Sequence, residues 1–209
     1  MKSNFTEIIF VLDRSGSMSP LVDDVVGGFN SIIDSQRKID GIATVTLVLF
    51  DDKYEVLYSA KDINDIPPLT VKQYSPRGLT ALLDAVGKTI DDEGLRLSNM
   101  TEDERPSKVL FIINTDGFEN ASREYTKQRI CEMVTHQREK YSWEFLFLGA
   151  DIDAFGAAHE LGISEANTAK YSHSSDGILL GCYAMDSFIT SKRMRKSSKD
   201  WKKCLEENN

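Results

Sequence analysis

Two aspartates, each in a polar segment that directly follows an apolar run, are the residues best suited to chemistry in this sequence. Asp13 begins the segment DRSGS, in which Ser15 and Ser17 add two hydroxyl groups to the carboxylate. Asp116 lies in the segment NTDG, and Thr80 ends the segment RGLT, where a glycine gives the backbone conformational freedom. Together they offer two carboxylates and three hydroxyls.

These groups are all hard oxygen donors, which suit a divalent cation in six-coordination with water completing the shell. Mg²⁺ is the preferred ion for such compact, hydroxyl-rich ligands, and Mn²⁺ and Ca²⁺ are the alternatives. Two carboxylates balance the charge of the cation, and the other ligands are neutral. The ion would therefore still attract one further anionic oxygen, such as the carboxylate of an Asp or Glu from a partner.

Short apolar, β-branched runs precede the polar segments and predict strands that are buried on both faces of a parallel sheet. The predicted strands are Ile8 to Leu12, Thr44 to Phe50, Val109 to Ile113, Glu144 to Leu148 and a weaker Thr168 to Tyr171. Apolar residues recur with helical spacing between them. The predicted helices are Leu21 to Lys38, Leu82 to Leu95, Arg123 to Lys140, a short one after Asp153 and a long one from about Asp176.

This alternation predicts an α/β fold: a Rossmann-like, doubly wound, mostly parallel central sheet with helices on both faces. A turn-like segment, DDK, separates the strand ending at Phe50 from Tyr54 to Tyr58, and its length predicts a hairpin and one antiparallel edge strand. The sequence has no repeat or Pro-rich linker. Residues 1–209 are therefore predicted to form a single domain, with a basic C-terminal helix or tail from about residue 190.

The motif Asp13-x-Ser15-x-Ser17, followed by Thr80 and then by Asp116 in a Thr-Asp-Gly context, resembles the metal-ion-dependent adhesion site (MIDAS) of von Willebrand factor type A (VWA) domains and integrin inserted domains. The spacing of strands and helices is similar to that family along nearly the whole chain. The resemblance implies that Ser15, Ser17 and Thr80 bind the metal directly. It implies that Asp13 and Asp116 bind it directly or through water.

The resemblance also implies a function: a protein-protein interaction module in which Mg²⁺ bridges to a partner carboxylate. Some intracellular relatives work beside AAA+ ATPases or in stress and conflict systems, so a protein of that kind is a candidate partner. Movement of the C-terminal helix, from Asp176 onward, is expected to couple to the binding of Thr80 to the metal. Many relatives have two glycines before the threonine, whereas this chain has Gly78-Leu79, which affects the expected loop shape and not the ligand.

Composition excludes several other classes of function. The net charge is −8, from 25 Lys and Arg against 33 Asp and Glu, so the surface should repel nucleic acids and anionic membranes. The three cysteines are widely spaced, without a CxxC pair, and we interpret them as reduced. No apolar stretch approaches the roughly 20 residues of a membrane span, and the N-terminal apolar run is too short for a signal peptide. These features predict a cytoplasmic protein.

An Mg²⁺-dependent phosphoryl-transfer hydrolase is the alternative function, because enzymes of that class also hold Mg²⁺ on a doubly wound sheet. A phosphatase of the haloacid dehalogenase type needs an acidic Asp two residues after its nucleophilic Asp, and here Ser15 holds that position. The sequence contains neither GxxxxGK[ST] nor GxGxxG after the first strand, and no Ser-His-Asp set is evident. We therefore predict a binding module without catalytic residues or an organic cofactor.

Four acidic residues near these loops allow two interpretations. Asp51 and Asp52 fit a solvated hairpin turn better than a second cation site. Asp151 and Asp153 follow a predicted strand and could line the rim of the metal site. Capping of the following helix is the preferred interpretation for Asp153.

The histidines and the basic C-terminal segment can also be explained without a functional role. His136, His159 and His173 lack the short spacing of metal ligands and are expected to be surface or loop residues. The basic segment, residues 192–196 with Lys199, Lys202 and Lys203, fits a solvated helix end, since cations favour a helix C-terminus. A docking patch for an acidic partner is the alternative.

Overall fold

The computed structural model describes residues 2–150, 153–195 and 200–207, which form a six-stranded sheet covered by helices on both faces. The strands are β1 (Lys2–Asp13), β2 (Ile42–Phe50), β3 (Tyr54–Asp62), β4 (Pro106–Thr115), β5 (Glu144–Ala150) and β6 (Thr168–Tyr171). The helices are α1 (Val22–Gln36), α2 (Leu82–Ser98), α3 (Lys127–Tyr141), α4 (Ala154–Glu160), α5 (Ser175–Arg193) and α6 (Lys203–Glu206). Short 3₁₀ turns occupy Gly16–Leu21, Ile63–Asp65 and Glu165–Asn167.

The strand order is β3-β2-β1-β4-β5-β6, and every neighbouring pair is parallel except β2 with β3. The predicted fold class, including the antiparallel edge strand, is confirmed. Strand order reverses between β1 and β4, because the chain adds β2 on one side of β1 and β4 on the other. Leu12 pairs with Asn114 across this reversal, so the segments that follow β1 and β4 begin at the same edge of the sheet. In open α/β sheets this is where ligands bind.

The core has two layers because successive side chains of a buried strand point to opposite faces. In β1, Ile8, Phe10 and Leu12 pack on the layer formed with α1 and α5. Ile9 and Val11 pack on the layer formed with α2, α3 and α4. The continuous apolar run in β1 is therefore required by burial on both faces, and it supports the rigid edge from which the polar loops extend.

Helix α3 begins at Lys127, four residues later than its apolar periodicity predicts. The Asp84 carboxylate accepts hydrogen bonds from the backbone amides of residues 123, 124 and 125, at 2.8, 2.9 and 2.9 Å, which holds them outside the helix. Thr126 then caps the helix by accepting from the amide of Arg129 at 3.2 Å. A long-range contact thus overrides the local pattern.

The basic end of α5 is not the simple solvated helix end that the sequence predicts. Arg193 is 6 % exposed, and its guanidinium donates to the backbone oxygen of Gln36 at 2.6 Å and that of Ile39 at 3.2 Å. Lys192 forms an ion pair with Glu144. Arg193 is buried because the C-terminus of α1 offers it carbonyl groups. Residues 196–199 of the predicted basic segment lie outside the described residues.

Within residues 2–150, 153–195 and 200–207, no helix is both long enough and apolar enough to cross a lipid bilayer.

Candidate metal centre

The carboxylate of Asp13 lies at the end of β1, is 2 % exposed and is held by its neighbours on three sides. Its Oδ1 accepts a hydrogen bond from the backbone amide of Ser15 at 2.7 Å, and its Oδ2 accepts one from the hydroxyl of Thr115 at 2.5 Å. The hydroxyl of Tyr74 donates to the backbone oxygen of Asp13 at 2.5 Å. The position of this carboxylate is therefore determined by β1, β4 and the segment before α2 together.

The five residues predicted as ligands come together in the structure. The hydroxyl of Ser15 lies 3.1 Å from that of Ser17 and donates to Oδ1 of Asp116 at 3.4 Å. Thr80 joins from the third loop, because a β-carbon placed on Gly117 would lie only 2.8 Å from the Thr80 hydroxyl oxygen. Oxygen donors from the loops after β1, before α2 and after β4 thus share one small region.

The loop that carries Thr80 has a defined backbone conformation. The Thr80 amide donates to the side-chain oxygen of Asn120 at 2.9 Å, and the Asn120 amide donates back to the Thr80 carbonyl at 3.0 Å. Gly78 has a φ of 67°, and a β-carbon there would lie 2.1 Å from an Asp52 carboxylate oxygen, so glycine is required. The residue between them, Leu79, is 57 % exposed. This loop therefore needs a glycine only at position 78, because the side chain at position 79 has room in solvent.

Asp51 is neither the solvated turn residue nor the second cation site considered from the sequence. It is completely buried, and its Oδ2 accepts from Nε of Arg14 at 3.2 Å and from Nε of Arg77 at 2.9 Å. Arg14 also pairs with Glu55 at 2.6 Å. Asp51 therefore ties the DRSGS loop to the loop that carries Thr80. The presence of an arginine in each of these loops is the sequence signal that could have indicated a buried counter-charge.

Burial raises the pKa of Asp13 to about 6, although the hydrogen bonds from Thr115 and Ser15 lower it. Loss of hydration disfavours the charged form, and Asp116 adds repulsion between like charges. The guanidinium of Arg14 faces Asp51 and Glu55. The contacts of Asp13 come from hydroxyl and amide groups, so its negative charge is solvated by dipoles.

His173 is the second functional residue that sequence reasoning missed. It lies between β6 and α5, and its Nε2 is 3.0 Å from Oδ2 of Asp116, whose side chain is 1 % exposed. His173 is a loop residue, as predicted, but its contact with Asp116 was not predicted. A signal was present, because His173 follows the end of a strand that runs parallel to β1 and β4.

Of the two acidic residues that follow β5, Asp153 caps α4 by accepting from the amide of Gly156 at 3.0 Å, which confirms the capping interpretation. Asp151 lies outside the described residues. In the described part of the chain, no three His, Cys, Asp or Glu side chains are grouped so that they could hold a metal ion. Any ion at this edge of the sheet would thus depend on hydroxyl donors as well as carboxylates.

The edge of the sheet around these residues is open to a partner and partly apolar. Ser17 is exposed, and Phe118, two residues after Asp116, is 67 % exposed. Beside them lies a cleft of about 480 Å³ between the β2–β3 hairpin and the start of α2. Leu79 and Asn120 line the cleft. Leu79 precedes Thr80 in the sequence, and the Asn120 side chain accepts a hydrogen bond from the Thr80 amide. A bound partner segment could therefore contact both the donor cluster and the cleft.

The solved structures that resemble this chain share the VWA fold. Proximal thread matrix protein 1 from the mussel byssus is 18% identical with a TM-score of 0.57, and the match covers 85% of this chain and 46% of that one. BatB from Bacteroides thetaiotaomicron is 17% identical with a TM-score of 0.54, over 91% of this chain and 100% of that one. The pilus adhesin SpaC from Lactobacillus rhamnosus GG is 13% identical with a TM-score of 0.68, over 92% of this chain and 31% of that one.

The chain has the VWA fold, a Rossmann-like α/β architecture. It spans about half the length of the mussel protein that it matches. A further structure of that mussel protein, 19% identical to this chain with a TM-score of 0.51, contains zinc in its MIDAS motif. At the level of sequence, no family model matches the chain and no curated protein is significantly similar to it.

Proposed function

We propose that this chain is a metal-dependent protein-binding module in which Asp13, Ser15, Ser17, Thr80 and Asp116 hold one divalent cation. The observation that carries the proposal is the meeting of the three loops. The Ser15 hydroxyl lies 3.4 Å from Asp116, and a β-carbon on Gly117, the residue after Asp116, would lie 2.8 Å from the Thr80 hydroxyl oxygen. The cation would attract a carboxylate oxygen of a protein partner. The partner would supply an Asp or Glu side chain.

The donor set fits such an ion. Two carboxylates compensate its charge, while three hydroxyls contribute no charge, so a metal held here retains affinity for an anionic oxygen. The raised pKa of Asp13, about 6, supports the same conclusion, because a buried carboxylate solvated only by dipoles gains most from a nearby cation. The ion supplies the electrostatic attraction for the partner carboxylate. The chain positions the donors and excludes water beneath them.

Mg²⁺ is the ion that we propose, because all five donors are hard oxygens. The zinc in the MIDAS motif of the mussel protein supports a divalent metal at the corresponding place in this fold. Mn²⁺ and Ca²⁺ remain the alternatives. A cytoplasmic partner, such as an AAA+ ATPase or a protein of a stress or conflict system, is part of this proposal and rests on the resemblance alone.

The alternative of a phosphoryl-transfer hydrolase receives less support from the geometry. Such an enzyme needs a general acid beside its nucleophile, and the side chain two residues after Asp13 is a serine hydroxyl engaged with Ser17 and Asp116. We therefore propose a non-catalytic role. Mg²⁺-dependent hydrolysis of p-nitrophenyl phosphate that disappears in Asp13→Ala would replace this proposal with the enzymatic one.

The first test is calorimetric titration of the purified chain with Mg²⁺. We expect Asp116→Ala to bind Mg²⁺ at least 100-fold more weakly than the parent, because it removes one of two charged ligands. Asp103→Ala, in an exposed turn away from the site, is the matched control and should bind like the parent. Equal Mg²⁺ binding by Asp116→Ala and the parent would remove the basis of the proposed site.

The second test asks whether the ion forms the bridge to a partner. The parent is immobilised and exposed to cell extract in Mg²⁺, then washed with excess chelator. We expect a specific partner to be released, and to be absent from the Asp13→Ala and Ser17→Ala captures. A partner retained in chelator, or captured equally by both variants, would place the interface elsewhere on the surface.

A further inference from the structure

Asp116 uses its two carboxylate oxygens in two directions. Its Oδ1 accepts from the Ser15 hydroxyl at 3.4 Å and therefore faces the hydroxyl cluster. Its Oδ2 lies 3.0 Å from Nε2 of His173, a buried nitrogen that is within ion-pair distance of Asp116 but outside hydrogen-bond geometry with it. With its side chain only 1 % exposed, the carboxylate has its orientation decided by these protein groups and not by water.

The residues on each side of His173 are anchored to separate elements. The Tyr171 hydroxyl donates to the side-chain oxygen of Asn114, at the end of β4, at 2.8 Å. The Ser175 hydroxyl donates to Asp24 of α1 at 2.7 Å. These tethers hold both ends of the loop that carries His173.

The loop between these anchors is also closed on itself. The Ser174 amide donates to the Ser172 carbonyl at 2.8 Å, and the Ser174 hydroxyl accepts from the Gly177 amide at 3.1 Å, which caps α5. A β-carbon on Gly177 would lie 1.9 Å from the Ser172 carbonyl oxygen, so the first turn of α5 packs directly against the loop. The position of His173 therefore depends on a glycine that leaves room for this close approach.

We infer that His173 is a positioning residue of the metal centre: it holds Oδ2 of Asp116 so that Oδ1 faces the ion. This inference rests on the proposed function, since it assigns a role within the same site. A side chain that orients a ligating carboxylate typically changes metal affinity by about 10- to 100-fold when it is removed. His173 does so through the approach of its Nε2 to within ion-pair distance of Oδ2, at 3.0 Å.

The test compares three variants of the full chain by calorimetric titration with Mg²⁺ and, separately, with Zn²⁺. His173→Ala removes the contact, and we expect the affinity for both ions to fall by about tenfold or more. His173→Gln places an amide nitrogen near the position of Nε2, so its affinities should stay within about threefold of the parent. His159→Ala, an exposed histidine in α4, is the matched control and should bind like the parent.

Thermal unfolding in excess chelator separates positioning from a general loss of structure. We expect added metal to raise the unfolding temperature of His173→Ala by less than it raises that of the parent, whatever the difference between the two proteins in chelator. Failure of His173→Gln to restore the affinity would overturn the inference. A loss restricted to Zn²⁺ would also overturn it, since it would show a nitrogen ligand that binds the ion directly.

The failure of this inference can be distinguished from the failure of the proposed function. If the parent binds metal, Asp116→Ala does not, and His173→Ala equals the parent, only the role of His173 is wrong. If the parent itself binds neither Mg²⁺ nor Zn²⁺, both the metal centre and the role of His173 are wrong.

Discussion

Two pairs of buried acidic side chains in this protein are stabilised in different ways. Glu7 in β1 and Glu93 in α2 are 0 % and 3 % exposed, and Arg96 forms ion pairs with both of them, at 2.7 Å to Glu93. The hydroxyl of Thr46 donates to Glu93 at 2.8 Å. This pair therefore has a cation from the chain itself, and we call it the internal acidic cluster.

The other pair, Asp13 and Asp116, is surrounded by hydroxyls, backbone amides and one imidazole. Burying a carboxylate destabilises the folded state unless its charge is compensated. None of these contacts comes from a lysine or an arginine, so the burial of Asp13 and Asp116 should lower the stability of the fold. The comparison indicates different roles. The internal acidic cluster contributes to the fold, whereas Asp13 and Asp116 are the two carboxylates of the cation site that we propose.

The largest effect on stability is expected when the cation of the internal acidic cluster is removed. Arg96→Met should lower the free energy of unfolding by about 3–5 kcal/mol, because it leaves Glu7 and Glu93 buried without a counter-charge. Urea unfolding at pH 8 measures this, and the loss should shrink at pH 5, where Glu7 takes up a proton. Arg129→Met, which breaks an exposed pair with Glu132, is the control and should cost less than about 1 kcal/mol.

The free energy of unfolding should also depend on divalent cations in solution if Asp13 and Asp116 bind one, whereas the internal acidic cluster needs none. At an Mg²⁺ concentration 100 times its dissociation constant, we expect the free energy of unfolding of the parent to rise by about 2.7 kcal/mol. For a chain of 209 residues, that corresponds to an increase in Tm of roughly 5–10 °C. Asp13→Ala should show no increase. An unchanged Tm of the parent in Mg²⁺ and in chelator would contradict the difference between the two clusters.

Asp51 offers an intermediate case, because it is a buried carboxylate near the metal centre that is paired within the chain. Asp51→Asn should lower the free energy of unfolding by about 2 kcal/mol, since it weakens charge-assisted hydrogen bonds to Arg14 and Arg77. It should also weaken Mg²⁺ binding, because Arg77 lies in the loop that carries Thr80. Asp52→Asn, at the exposed neighbouring position, is the control. Full Mg²⁺ affinity in Asp51→Asn would show that Thr80 is positioned without this ion pair.

The raised pKa of Glu7 predicts the direction in which the free energy of unfolding changes with pH. Burial, followed by repulsion from Glu93, raises its pKa from 4.5 to about 7, so between those values the folded state binds more protons than the unfolded state. The free energy of unfolding should therefore decrease as pH rises through this window, with a slope of at most about 1.4 kcal/mol per pH unit from this group.

Glu7→Gln should flatten that slope because glutamine does not titrate. The difference between parent and variant, measured by urea unfolding at constant metal concentration from pH 4.5 to 7.5, isolates the contribution of Glu7 from that of Asp13. Parallel curves for the two proteins would show that Glu7 does not titrate in this range.

The class of fold, and the position of the candidate donors at one edge of the sheet, could be predicted from sequence because both depend on local patterns. Apolar runs such as Ile8 to Leu12 are required wherever a strand is buried on both faces, and polar residues that follow them fall at one edge of a parallel sheet. The boundary of α3 could not be predicted, because Asp84, about 40 residues away, accepts the amides that would have formed its first turn. Local periodicity does not record such a contact.

The sequence by itself determined which residue types stand at the ends of the strands, and hence the fold class and the five candidate ligands. Only the tertiary structure decided that Asp51 is a buried partner of two arginines and that His173 reaches Asp116. The physical reason is distance along the chain. Asp51 and His173 contact residues that lie between 26 and 57 positions away, so their burial and charge pairing arise only once the sheet brings the loops together.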